Sequence, residues 1–319
     1  MAGRLVDCKW QTRDNFADED GAFRRDASSF RNWITPDGSL GPDGQTAVPA
    51  AADRFHLYVS YACPWAHRTL IMRRLKGLED LIPYSVVHPD MLDKGWTLAD
   101  DFPGATGDPL YDKAFLHEVY SLAKADYSGK VTVPVLWDRQ EQTIVNNESS
   151  EVIRIFNTAF NQMTGNTLDF YPEALREEID DLNARIYEPV NNGVYKCGFA
   201  ETQTVYDKNI KPLFDTLDWL DARLSDGRPY LTGDDLTEAD IRLFTTLVRF
   251  DPVYYVHFKC NLKLIRTYEH LSAYTRRLFD QPAFGETTHF DHIQRHYFYS
   301  HNHINPFRIV PAGPRDMVG

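Results

Sequence analysis

Residues 54–68 read RFHLYVSYACPWAHR, and this stretch constrains the fold more than any other. Its first half has the aromatic and β-branched content of a strand. After it, Ile71, Leu75 and Leu78 fall at i, i+4 and i+7, so a helix follows. Pro64 suits the first helical turn, where its missing N–H would be unpaired anyway. Cys63 is thereby placed at the N-cap. Free backbone N–H groups and the positive end of the helix dipole point at its sulfur. Both favour thiolate, so the pKa is expected below the free value of about 8.5, and His67 and Arg68 add positive potential. A buried, inert cysteine is the plainer reading, but the strand–Cys–Pro–helix context argues for a reactive thiol. Ala66 stands where a dithiol centre would carry its second cysteine, so an external thiol must resolve whatever Cys63 forms.

The flanking pattern extends this unit. Residues 82–88 (IPYSVVH) read as a strand, 109–125 as a helix, 130–138 (KVTVPVLWD) and 142–147 (QTIVNN) as strands close enough for a hairpin, and 148–160 as a helix. The order from 54 to 160 is β-α-β-α-β-β-α. Residues 161–172 suit a linker. Beyond them the period is helical: Leu175, Ile179, Leu182 and Ile186 repeat, as do Ile210, Leu213, Leu217, Leu220 and Leu224, and 236–250 and 262–279 add further helices. Residues 1–50, with TPDGSLGPDG in their second half, read as an extended arm. The last forty residues read as irregular. The expected division is an extension at 1–50, an α/β domain at 51–162 and an all-helical domain with a tail at 172–319.

Composition excludes several classes. Lys and Arg number 34 against 46 Asp and Glu, a formal net charge of −12, so a polyanion such as nucleic acid is a poor partner. No apolar run approaches a membrane span, and the first residues lack the apolar core of a secretion signal. The four cysteines, Cys8, Cys63, Cys197 and Cys260, are scattered without disulfide or zinc spacing, which suits a reducing cytoplasm. His296, His301 and His303 crowd the tail, but no cysteine or carboxylate joins them at ligand spacing, so no metal is expected. Cys197 and Cys260 read as structural, as does Thr237 three residues before Asp240, a variant capping box.

Two further features point to a peptide ligand. Pro134 lies inside a strand pattern, where proline is normally excluded. A cis Val133–Pro134 bond would turn the Val133 backbone outward to pair with an extended peptide; an edge-strand proline is the other reading. Glu148 and Ser149 open a helix, whose N-terminus suits a carboxylate while Glu148 suits an ammonium. Plain capping by Asn146 or Asn147 is the simpler account of that helix start. A reactive thiolate, a backbone pairing edge and sites for an amine and a carboxylate are together what glutathione needs.

The segments CPWAHR, MLDKGWTL, VTVPVLWD, NNESSEVIRIFN, DPVYYVHFKCN and HYFYSHNHINPFRIVP resemble the Xi-class glutathione transferases, the glutathionyl-hydroquinone reductases. The resemblance runs from about residue 30 to the end, and the tail and HFKCN separate this class from the Omega class. It implies a thioredoxin-like domain followed by a helical domain, a cytoplasmic homodimer paired through the helical domain, and glutathione as co-substrate without a metal. It implies that Cys63 attacks the sulfur of a glutathionyl-hydroquinone, forming a mixed disulfide that a second glutathione resolves. Trp96, Lys130, Val133, Glu148 and Ser149 then hold glutathione. Lys130 stands where the family often has arginine and lacks the bidentate fork. Tyr195, Tyr254 and Tyr297 match the aromatic ring site. The family tail often reads His-Tyr-Tyr, whereas here Phe298 follows Tyr297, which leaves Tyr297 and Tyr299 both open. An Omega-like thioltransferase or dehydroascorbate reductase, or a non-catalytic ligand-binding homologue, is the alternative.

Overall fold

Strand and helix positions follow from which stretches can be buried on both faces. The computed structural model describes residues 2–14, 20–314 and 318, which form two compact units. The first comprises residues 2–14 and 26–169, the second 20–25 and the chain from 170 onward. Of the first fifty residues, 2–14 and 26–50 group with the first unit and 20–25 with the second, and the two units divide between Asp169 and Phe170.

In the first unit, β1 (Ala2–Val6) and β2 (Lys9–Asp14) form an antiparallel hairpin where an extended arm was expected. Its turn is Asp7-Cys8, both with positive φ (47° and 56°), the two-residue geometry that matches strand twist. Short strands β3 (Trp33–Thr35) and β4 (Ala47–Pro49) pair in parallel. The central sheet contains β5 (Phe55–Val59), which leads into α1 (Pro64–Leu75), and β6 (Tyr84–Val86). After α2 (Leu116–Ala123) and β7 (Gly129–Lys130) come β8 (Val135–Asp138), β9 (Thr143–Asn146), α3 (Ser149–Thr158) and the one-turn α4 (Asn161–Thr164). The sheet order is β6-β5-β8-β9, with β5 parallel to β6 and antiparallel to β8. Every residue of β5 and β8 is buried, so both read as continuous runs without alternation. α1 packs on α3, and α2 on β9.

Two expected boundaries move. The helix expected from 109 starts at Leu116 because Asp108 accepts the backbone N–H of Leu110 and Lys113 and the Tyr58 hydroxyl, holding a turn there. Glu118 then caps the helix by accepting the Phe115 N–H at 2.9 Å. The single strand expected over 130–138 is two: β7 joins the N-terminal hairpin through β1, and β8 joins the central sheet. The Val133–Pro134 bond between them is cis.

The second unit is helical: α5 (Arg176–Ile186), α6 (Gly193–Gly198), α7 (Gln203–Arg223), α8 (Glu238–Arg249), α9 (Glu269–Phe279), α10 (Pro282–Gly285) and α11 (Phe290–Ser300). α5 and α8 each continue into a wide turn of matching sequence, Tyr187–Asn191 (YEPVN) and Phe250–Tyr254 (FDPVY). Proline cannot supply the i→i−4 hydrogen bond and clashes with that carbonyl, so the helix widens at these points. Buried Asp240 accepts from the N–H groups of Leu231 and Thr237 and from the Tyr274 hydroxyl, anchoring α8. The tail is not irregular as expected: α11 buries Ile293 and Tyr297 on one face, a stripe that its many histidines obscure. Among the described residues, no helix is long and apolar enough to cross a membrane.

Candidate active site

Cys63 is the N-cap of α1, in extended conformation with Pro64 at the first helical position. It is partly exposed. Its side chain makes no capping hydrogen bond to its own helix. The sulfur instead lies 3.6 Å from the Val133 carbonyl oxygen, beside the cis Val133–Pro134 bond. The fold thus brings together a thiol and a peptide edge that lie 70 residues apart. No hydrogen bond engages the Val133 N–H among the described residues.

Glu148 is itself the N-cap of α3, in place of the expected Asn146 or Asn147. Its Oε1 accepts from the Ser150 N–H at 3.1 Å and the Ser150 hydroxyl at 2.9 Å. Asn146 works one step back, accepting the Glu148 N–H at 2.7 Å. Burial opposes ionisation of Glu148, but the Ser150 and Ser28 hydrogen bonds and the Arg68 charge outweigh it, and its pKa falls below the ordinary carboxylate value. Ser149, buried, opens α3, and Arg68 of α1 reaches its hydroxyl at 3.4 Å. Arg68 was expected to serve Cys63. It is buried, stacks on Trp65 at 4.4 Å and extends to the start of α3.

Trp96 and Lys130 come from opposite sides of the N-terminal hairpin. Gly95 precedes Trp96 with φ +74°, and a Cβ there would lie 2.8 Å from the Trp10 ring. Trp10 donates from Nε1 to the Asp93 carbonyl at 2.8 Å and stacks on His117. The hairpin therefore seats the loop that carries Trp96, a contact with no local signature in the sequence. Lys130 lies on β7 opposite Arg4 of β1, its ammonium 3.8 Å from the Asp26 carboxylate.

In the helical unit, three tyrosines from α6, the second wide turn and α11 converge. The Tyr297 hydroxyl is 2.6 Å from that of Tyr195 and 3.1 Å from that of Tyr254. Tyr195 is the most accessible at 9%, against 0% for Tyr254 and 2% for Tyr297. Burial raises the pKa of Tyr254 and Tyr297 well above that of a free phenol, so both remain neutral donors and acceptors. Tyr299 lies elsewhere, under the guanidinium groups of Arg295 and Arg308. Tyr297 is the tail residue that joins the cluster. His257 and His301 stack beside it, their ring nitrogens 3.2 Å apart. Among the described residues, no group of three or more His, Cys, Asp or Glu is arranged to hold a metal ion.

Comparison with known proteins places this geometry. Residues 62–159 match the glutathione S-transferase N-terminal domain and 203–277 the C-terminal domain. Over 313 residues the chain is 55% identical to the glutathionyl-hydroquinone reductase YqjG of Escherichia coli, covering 98% of this chain and 95% of that protein. The glutathione-bound structure of YqjG superposes with a TM-score of 0.91, covering 99% of this chain and 97% of that one. The glutathione transferase Xi of Phanerochaete chrysosporium superposes at 0.90 with 54% identity, covering 95% and 96%. The chain belongs to the Xi class of glutathione S-transferases. The glutathionyl-hydroquinone reductase PcpF of Sphingobium chlorophenolicum is 47% identical, covering 98% of this chain and 96% of that protein. The first unit of this Xi-class chain is its thioredoxin-like domain, and the second is its helical glutathione-transferase domain.

Proposed function

We propose that this Xi-class chain is a glutathionyl-hydroquinone reductase that works through a Cys63–glutathione mixed disulfide. The observation that carries the reading is the Cys63 sulfur at a helix start, 3.6 Å from the Val133 carbonyl oxygen, with Ala66 three residues on. In the first step the Cys63 thiolate attacks the sulfur of the conjugate. The sulfur–ring-carbon bond breaks, its electron pair stays on the carbon, and a proton there completes the hydroquinone. In the second step the thiolate of free glutathione attacks the glutathionyl sulfur of the mixed disulfide. Cys63 leaves as thiolate with oxidised glutathione as the product. The thioether sulfur of the conjugate and the thiol of one glutathione have become one disulfide, and the ring carbon has kept the electron pair of the C–S bond and gained a proton.

Glutathione is the co-substrate, and no step requires a metal. The Val133 backbone pairs with the cysteinyl residue of the glutathionyl group that Cys63 attacks, and Trp96 lies alongside that peptide. Glu148 accepts the γ-glutamyl ammonium while Ser149 and the N-terminus of α3 take the γ-glutamyl carboxylate. Lys130 takes the glycyl carboxylate as a single point charge. Tyr195, Tyr254 and Tyr297 bind the hydroquinone, with hydroxyls for its phenolic oxygens and rings to pack on its ring. Two copies pair through their helical domains, where Val256 and Leu262 are each 65% exposed. All four cysteines are free thiols, which suits the cytoplasm.

The test is turnover of a synthetic glutathionyl-hydroquinone with excess glutathione. Equimolar hydroquinone and oxidised glutathione, abolished in Cys63→Ala, is the expected result. Reduction of simple mixed disulfides with none of the conjugate would replace this reading with a thioltransferase.

A further inference from the structure

The Glu148 carboxylate is fixed from two directions, and one of them is the N-terminal segment. Asn32 N–H donates to the Val145 carbonyl at 3.0 Å, and Asn147 N–H to the Phe30 carbonyl at 3.1 Å. Asn146 and Asn147 return side-chain bonds to the Asn32 carbonyl and the Phe30 N–H. Arg31 pairs with Glu151, its Nε 2.6 Å from Oε2. These contacts lay residues 28–32 along β9 and the first turn of α3. They bring the Ser28 hydroxyl to 2.9 Å from Glu148 Oε2. The same hydroxyl lies 3.3 Å from the Asn147 carbonyl. Ser150 engages only Oε1, so among the described residues Ser28 is what fixes the second oxygen.

We propose that Ser28 is a positioning residue for glutathione: its hydroxyl sets the orientation in which Glu148 receives the γ-glutamyl ammonium. The proposal rests on Glu148 being the ammonium anchor. A carboxylate oxygen carries two lone pairs, so Oε2 can accept from Ser28 and from an ammonium together. The hydroxyl also delivers a charge-assisted hydrogen bond to a part-buried anion, the stronger kind. The segment is thus part of the binding site, with its effect confined to the amino end of the peptide.

The experiment is steady-state kinetics at saturating glutathione with two conjugates, glutathionyl-hydroquinone and the same conjugate lacking the peptide's α-amino group, on the native chain, Ser28→Ala, Ser28→Thr and Glu148→Gln. Ser28→Ala is expected to raise the KM for the conjugate about tenfold, the loss of one hydrogen bond to a charged group, with kcat at saturation unchanged. The penalty should vanish with the amine-free conjugate, and Ser28→Thr should restore the native KM. Ser28→Gly serves if Ser28→Ala does not fold. An equal penalty on both conjugates, or a fall in kcat with KM unchanged, would reduce Ser28 to a structural tie and overturn the proposal. If Glu148→Gln also ignores the amino group, the anchor reading falls and this proposal with it. Discrimination in Glu148→Gln but not in Ser28→Ala sinks the proposal alone.

Discussion

A carboxylate at the start of a helix is ordinarily a cap, and Glu148 is one. What separates it from a simple cap is the Ser28 hydroxyl donated to its other oxygen and the buried Arg68 nearby. Because its pKa is depressed, Glu148 stays ionised as pH falls through the ordinary carboxylate range. The KM for the conjugate should therefore hold as pH falls to the ordinary glutamate value of about 4.3 and rise only below it. A rise beginning near pH 6 would mean that another group governs binding. Lys130 gives a prediction of opposite sign. Asp26 competes with a substrate carboxylate for its ammonium, so Asp26→Asn should lower the KM for the conjugate by about twofold at low salt, a modest effect because the pair is half-exposed. The helix starts at Cys63 and at Glu148-Ser149 were legible because strand–Cys–Pro–helix and a polar helix start are local patterns. Ser28, Asp26 and Arg31 were not, since each meets its partner across more than a hundred residues.

At the scale of elements, the hairpin β1–β2 and the loop ending in Trp96 depend on one another through Trp10 and Gly95. Gly95→Ala would force an l-residue to φ +74° and drive its Cβ into the Trp10 ring. It should cost about 1–3 kcal/mol in a thermal melt and raise the KM for the conjugate by loosening Trp96. A native-like melting temperature would show that the hairpin yields freely there. α1, α3 and the longer helices were legible because one-sided burial imposes a period on them, and the central strands because burial on both faces leaves short dense runs of aromatic and β-branched residues. The hairpin was missed because its short strands carry no sustained apolar alternation, and β1 gains its second neighbour, β7, from far along the chain. The helix expected from 109 was overextended because the capture of backbone N–H groups by Asp108 outweighs a helical pattern. α11 was missed because histidine and tyrosine, weak helix formers, hide its buried face.

At the scale of the whole molecule, buried histidines make stability depend on acid. Burial lowers the pKa of His56 to about 4 and that of His257 to about 3. An unfolded histidine takes up its proton near about pH 6.5. As pH falls below that value the unfolded chain binds protons first, so stability is full above it and declines progressively toward pH 3. Melting temperature should drop between pH 7 and 5, with a shallower slope in His257→Gln; an identical slope would place the proton uptake elsewhere. The proposed pairing of two copies is tested by sedimentation: a dimer is expected for the native chain and a monomer for the double variant Val256→Asp, Leu262→Asp, and a native monomer would contradict the pairing. The central claim remains covalent. Native protein mixed with one equivalent of glutathionyl-hydroquinone, with no free glutathione, should release one equivalent of hydroquinone and carry one glutathionyl group, located by mass spectrometry of the digest on the peptide containing Cys63. Hydroquinone release with Cys63 unmodified, or the adduct on Cys8, would contradict it.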